Sequence, residues 1–317
     1  MSRSLFKDYR FYFLVFSFMS MLWVFIKPTH LENKPIYHLT VIVDITRSMN
    51  AMDYKQHDKE ISRLKMIKLS LKQLLLDLPC QSTISLGVFT ERLSTLLFEP
   101  IEVCSGLTEI ESTINALDWR MAWAADSRIA QGLKQTVESL KNRDSTLIFM
   151  TDGQEAPPVN PRYTPDLLAL KDKMKGLIVG VGGLQPVPIP KFNERGEQIG
   201  FYSANDVPHR STFGESNLNP EAIEGFDARN APFGKNAVVG TEHLSALQEG
   251  YLQQLSQTLN FHYSRLNDEF SLKPALDAAN LHSLKAVQTD QRWKFALFAL
   301  VLLTFIYVSF QRKVKFK

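Results

Sequence analysis

Asp44, Thr46 and Ser48 occupy alternate positions just beyond the apolar run Leu39–Val43. In a chain still extended past a strand, alternate residues point the same way, so one carboxylate and two hydroxyls converge above the strand end. Hard oxygen donors of this kind suit Mg²⁺ or Ca²⁺. A second apolar run, Leu147–Met150, ends in Thr151-Asp152-Gly153 and supplies a second carboxylate at a strand end. The residues alone also admit a plainer reading, in which Asp44 and Thr46 cap a turn and Asp152-Gly153 is an ordinary turn. No nucleophile pattern accompanies them: there is no G-x-S-x-G, and the seven histidines form no H-x-H or H-x-x-x-H pair.

Both runs read as buried strands, and the elements around them alternate with helices. Ile61–Leu78 places Leu64, Ile67, Leu71, Leu74, Leu75 and Leu78 at helical spacing and stops at Pro79. Ser82–Thr90 and Leu93–Phe98 form a hairpin turning near Glu91-Arg92. Helices are expected over Leu107–Leu117, Arg128–Lys141 with Ser127 as its N-cap, and Pro165–Met174. A strand over Gly176–Val181 follows, and Gly180-Val181-Gly182-Gly183 lacks the third glycine of a dinucleotide loop. Pro186–Tyr202 reads as a hairpin turning at Asn193–Gly196, residues to Gly240 as a long loop or insertion, then a helix through Leu259 and a last strand, Phe261–Leu266. Asp53 and Asp58 fall in a polar loop, Asn50–Lys59, and either join the metal shell or, the favoured reading, are solvated. The expected fold class is α/β, a doubly wound, mostly parallel sheet flanked by helices.

Phe11–Ile26 and Phe295–Phe310 are uncharged apolar runs bounded by Lys or Arg, each near the lower limit for crossing a bilayer. No small-x-small cleavage site follows the first, which favours an anchor over a removed signal peptide. Arg3, Lys7 and Arg10 precede the first run, and Arg312, Lys313, Lys315 and Lys317 follow the second, so both termini are expected in the cytoplasm. The 27 basic and 32 acidic residues between the two ends leave the middle acidic, which excludes a nucleic-acid partner. The layout is then a cytoplasmic N-terminus and span (1–27), a connector (28–36), a domain (37–267) with an irregular insertion at about 184–241, a linker (268–292), and a second span with a basic tail (293–317). Cys80 and Cys104 flank the hairpin at matching distances from its turn, so they read either as a cross-strand disulfide, suited to an oxidising compartment, or as two separate thiols.

At Asp44-x-Thr46-x-Ser48 and Thr151-Asp152-Gly153 the chain resembles the von Willebrand factor A domains and their metal-ion-dependent adhesion site. The resemblance implies that Ser127, in Ala125-Asp126-Ser127-Arg128, stands where that family has Thr. It further implies that Thr46, Ser48 and Ser127 bind Mg²⁺ or Ca²⁺ directly, with Asp44 and Asp152 acting mostly through water. Pro186-Val187-Pro188-Ile189-Pro190, the hairpin after it and Gln253-Gln254-Leu255-Ser256-Gln257 resemble the bacterial membrane-anchored proteins of the Bat type, which accompany MoxR-type AAA+ ATPases and other membrane proteins with this domain. Asp44-Ile-Thr-Arg-Ser-Met-Asn50 and Trp119-Arg-Met-Ala-Trp123 resemble accessory proteins of methanol dehydrogenase maturation.

These resemblances imply a non-enzymatic assembly factor on the outer, periplasmic face of the inner membrane that docks an acidic side chain of a client protein at its metal. Trp119, Met121 and Trp123 lie in the connection beside that metal, either as partner-binding residues or as rings packed beneath the loop. Two other classes are open: a metal-activated hydrolase using Asp44 or Asp152 as base, and a metal-independent membrane scaffold.

Overall fold

The computed structural model describes residues 9–26, 29–122, 127–156, 164–193, 195–207, 241 and 243–314. Trp123 and the greater part of the expected insertion lie outside them. Two compact units are present, one of Met1–Pro35 with Leu284–Lys317 and the other of Ile36–Ser283.

The larger unit is built on six strands: β1 (His38–Asp44), β2 (Thr83–Thr90), β3 (Leu93–Glu102), β4 (Thr146–Thr151), β5 (Gly176–Gly180) and β6 (His262–Arg265). They form one sheet in the order β6-β5-β4-β1-β2-β3, parallel throughout except for the β2–β3 hairpin. A parallel central strand is covered on both faces, which is why β1 and β4 are unbroken apolar runs rather than alternating ones. Helices α1 (Arg63–Asp77), α2 (Leu107–Ala116) and α5 (Leu272–Ala278) pack on one face, where Ile67, Leu71, Ile114 and Leu276 meet Leu39, Val41 and Val43. Helices α3 (Ile129–Leu140) and α4 (Glu249–Leu259) pack on the other, where Leu133, Val137 and Leu252 meet Ile42, Phe89 and Phe149.

Some sequence expectations are corrected, while the hairpin within residues 186–202 and the Cys80–Cys104 bridge are found. The helix expected at Pro165–Met174 is only a 3₁₀ turn, Leu168–Leu170; the Asp166 carboxylate accepts the Leu168 amide, and Asp172 takes a left-handed φ of 59° that ends the turn. The loop at 50–59 contains a small hairpin, Tyr54–Gln56 with Lys59–Ile61, whose two turn residues His57 and Asp58 both have positive φ. That is the geometry of a tight two-residue hairpin without the usual Asn-Gly. Val187–Pro188 pairs with Leu244–Ser245, while Pro190–Phe192 pairs with Gln198–Phe201. The expected linker contributes α5, whose Leu272 and Leu276 are buried in the core, so the compact unit runs on to Ser283. Cys80 and Cys104 form a disulfide with their Cα atoms 5.3 Å apart.

In the smaller unit, against the two spans expected, one helix among the described residues is both long and apolar enough to cross a membrane, Tyr9–Ile26. The second apolar run lies in a 23-residue helix, Arg292–Val314. Ser17 Oγ and Ser20 Oγ donate to the Ala299 and Phe295 carbonyls, so these hydroxyls are satisfied between the two helices.

Candidate metal centre

From β1 the chain crosses to β2 and β3 on one side, then returns to β4 on the other. The strand order therefore reverses between β1 and β4, and the carboxyl end of such a switch point is where open α/β sheets leave a crevice. Val43 is in register with Met150, which sets Asp44 beside Thr151. Both residues are fully buried.

Asp44 is held on both oxygens. Oδ1 accepts the Thr46 amide at 2.9 Å and the Thr46 hydroxyl at 2.7 Å, while Oδ2 accepts the Thr151 hydroxyl at 2.6 Å. Thr46 Oγ1 lies 3.4 Å from Ser48 Oγ, so the first three predicted residues are gathered. Burial, and secondarily the nearby Asp152 carboxylate, push the Asp44 carboxyl up to about 7.

Asp152 is also fully buried and faces a residue that sequence reading did not single out. Its Oδ2 accepts Arg63 Nη1 at 2.7 Å and Ser245 Oγ at 3.0 Å, and its Oδ1 accepts the Gln154 amide. Arg63, at the first turn of α1, is itself fully buried and reaches Asp53 Oδ2 through both Nε and Nη2, at 2.9 and 2.7 Å. Asp53 is therefore not in a solvated loop: its Oδ2 also accepts the Gly183 amide at 2.8 Å. Gly182 completes this knot with a φ of +119°, and a Cβ there would fall 2.6 Å from Arg63 Nε. Only glycine meets both conditions.

Ser127 is not the N-cap of α3. Arg128 holds that position without capping the helix through its side chain, and the Glu155 carboxylate, from beyond β4, accepts the Ala130 amide at 3.0 Å in its place. A carboxylate there complements the positive end of the helix. Burial pushes the Glu155 carboxyl up, and the Tyr251 hydroxyl bound to it opposes that shift. Ser127 is fixed by its backbone instead, exchanging hydrogen bonds of 2.7 and 2.9 Å with Ala156. Its hydroxyl is buried and has no hydrogen-bond partner.

Two observations test whether a hard divalent cation suits these residues. A buried hydroxyl left unpaired is costly, and Ser127 Oγ is such a group. The single guanidinium of Arg63 is already shared between Asp53 and Asp152, so the fully buried Asp44 has no cationic partner among the described residues. The donor set fits. Among the described residues, the one trio of Cys, His, Asp or Glu with ligand atoms within 4.8 Å of one another is Cys80, Glu102 and Cys104, and its sulfurs are spent in the disulfide. A cation at Asp44 would therefore need hydroxyl oxygens as ligands.

Beside the centre, Trp119 packs its ring on Phe192 at a centroid distance of 5.6 Å, Met121 is exposed, and the Arg47 guanidinium lies 5.2 Å from the centre of the Tyr202 ring. Trp119 is therefore half-buried against the 190–202 segment, while Met121 faces solvent.

Residues 39–154 match the model of the von Willebrand factor type A domain. No curated protein matches the chain. Solved structures similar to it include an aerotolerance-related membrane protein from Bacteroides fragilis NCTC 9343, at 15% identity and a TM-score of 0.49, covering 77% of this chain and 98% of that one. BatB from Bacteroides thetaiotaomicron gives 14%, 0.49 and the same coverage, and a membrane spanning protein from Vibrio fischeri gives 14% and 0.27, covering 76% of this chain and 96% of that one. The resemblance to methanol dehydrogenase accessory proteins draws no support from these matches. With its matched segment running from β1 through the Asp152 strand end, this chain carries a von Willebrand factor type A domain.

Proposed function

We propose that the domain is a cation-dependent docking module that grips a carboxylate of a client protein and assists its assembly on the outer face of the inner membrane. The observation that carries this reading is the buried Ser127 hydroxyl, without a partner among the described residues, on a backbone bridged to Ala156 four residues past Asp152. A bound Mg²⁺ or Ca²⁺ supplies an electrophilic centre with a position open to an incoming carboxylate. The chain's own residues do the rest. Thr46, Ser48 and Ser127 offer neutral oxygens, Thr151 and Thr46 orient Asp44, and Arg63 holds Asp152 in place.

Binding is favoured over hydrolysis because Asp44 is fully enclosed, with both oxygens already hydrogen-bonded. A general base must reach the proton it abstracts, and this one has no free approach. The surface formed by Trp119, Met121 and Tyr202 extends the docking area. On this reading the apolar helix Tyr9–Ile26 anchors the chain and the domain lies in the periplasm, a compartment that suits the Cys80–Cys104 disulfide. A MoxR-type ATPase acting from the cytoplasm completes the reading, in keeping with the Bat-type motifs.

The test is affinity capture of envelope proteins by the full-length chain in detergent. A client retained with Mg²⁺, released by chelator and lost with Asp44→Ala supports the reading. A client retained equally under all three conditions overturns it in favour of a metal-independent scaffold.

A further inference from the structure

The opposite edge of the sheet holds a second feature, independent of the metal centre. Where β1, β4 and β5 begin, a cavity of about 200 Å³ opens to solvent. That is room for a phosphate-sized group and several waters. Arg143, Lys173, Lys175, His38 and His282 line it, with Asp144 as the one carboxylate. No phenyl, phenol or indole ring lines it, so it offers no stacking face for a nucleobase.

The state of these side chains matters more than their number. Arg143 is engaged by Glu99, and His38 Nδ1 lies 2.9 Å from Thr83 Oγ1. Lys173 and Lys175 have no ion pair or hydrogen bond to another side chain among the described residues, and both are exposed. His282 Nδ1 is buried without a hydrogen-bond partner. Two unpaired ammonium groups on one cavity, beside an imidazole that donates from Nδ1 in the tautomer that protonates it, ask for a compact anion with several acceptor oxygens.

Ile36 and Ser283, where the chain enters and leaves this unit, also line the cavity, and Ser283 Oγ donates to the Ile36 carbonyl. Residues 27–35 join Ile36 to the apolar helix Tyr9–Ile26. A bilayer presents phosphate-bearing anionic headgroups, and free phosphate carries the same acceptor oxygens.

We propose that this cavity is a binding site for a phosphate-bearing anion, either a phospholipid headgroup or free phosphate, held by Lys173, Lys175 and His282. The experiment uses the full-length chain in detergent and two probes. Phosphatidylglycerol binding is followed by native mass spectrometry against phosphatidylcholine, and inorganic phosphate binding by calorimetry. Lys173→Ala/Lys175→Ala should weaken the bound probe at least tenfold, roughly the effect of two surface cations, while Lys173→Arg/Lys175→Arg should retain it. Both lysines are exposed, so neither change should alter the melting temperature. Loss confined to phosphatidylglycerol assigns the headgroup, and loss of phosphate binding assigns the free anion. If the wild type binds neither probe, or binds both no better than the alanine variant, the proposal is overturned.

Discussion

Ser127→Ala removes a buried hydroxyl that makes no hydrogen bond among the described residues. Without a divalent cation the variant should therefore melt no lower than the wild type, and with Mg²⁺ it should lose most of the cation-induced rise, as thermal unfolding of the full chain will show. Arg63→Ala should behave in the opposite way. It strips Asp53 and Asp152 of their buried partner and should destabilise the protein by about 3–5 kcal/mol whether or not cation is present. The two kinds of residue were unequally legible in the sequence. Asp44, Thr46 and Ser48 share one short stretch whose spacing carries the chemistry. Arg63 opens an amphipathic helix, where a charged residue ordinarily faces water, and its partners lie 10, 89 and 182 positions away. Nothing local marks it as buried.

Helices and strands carry their own predictions. A Cβ on Gly132 of α3 would fall 2.1 Å from Phe89 Cε2 on β2, so Gly132→Ala should cost about 1–3 kcal/mol by overpacking, despite alanine's better helix propensity. Removing the Cys80–Cys104 bridge, which closes a separation of 24 residues, should cost about 3 kcal/mol in denaturant or thermal unfolding of the full chain. Next to it, Glu102 accepts the Gln81 and Ser105 amides, each at 2.7 Å, and these bonds hold its carboxyl down at about 2. A depressed acid stabilises the fold above its ordinary range, near 4.5, and loses that contribution as the pH falls toward 2. Glu102→Gln should thus cost under about 1 kcal/mol at neutral pH, because the group is largely exposed, and the gap from wild type should close between those two values. Elements with strong periodicity, such as α1 and β1, were readable within a residue or two. The misread ones turn on local side-chain bonds, Asp166 at the 3₁₀ turn and Glu155 at the start of α3, whose partners or φ angles no hydrophobic pattern records.

For the whole molecule, the claim is that one hard cation completes the carboxyl edge of the sheet and gives the domain its grip. Membrane placement affects where that grip acts, and a buried Asp44 without a cationic partner among the described residues decides whether it exists. The most direct measurement is calorimetric titration of Mg²⁺ into the full-length chain in detergent, alongside Asp44→Ala and Ser127→Ala. The wild type should take up a single ion, Ser127→Ala should bind it more weakly, and Asp44→Ala should give no binding heat. Indistinguishable titrations for the three proteins, or no heat from the wild type with either Mg²⁺ or Ca²⁺, would contradict the account.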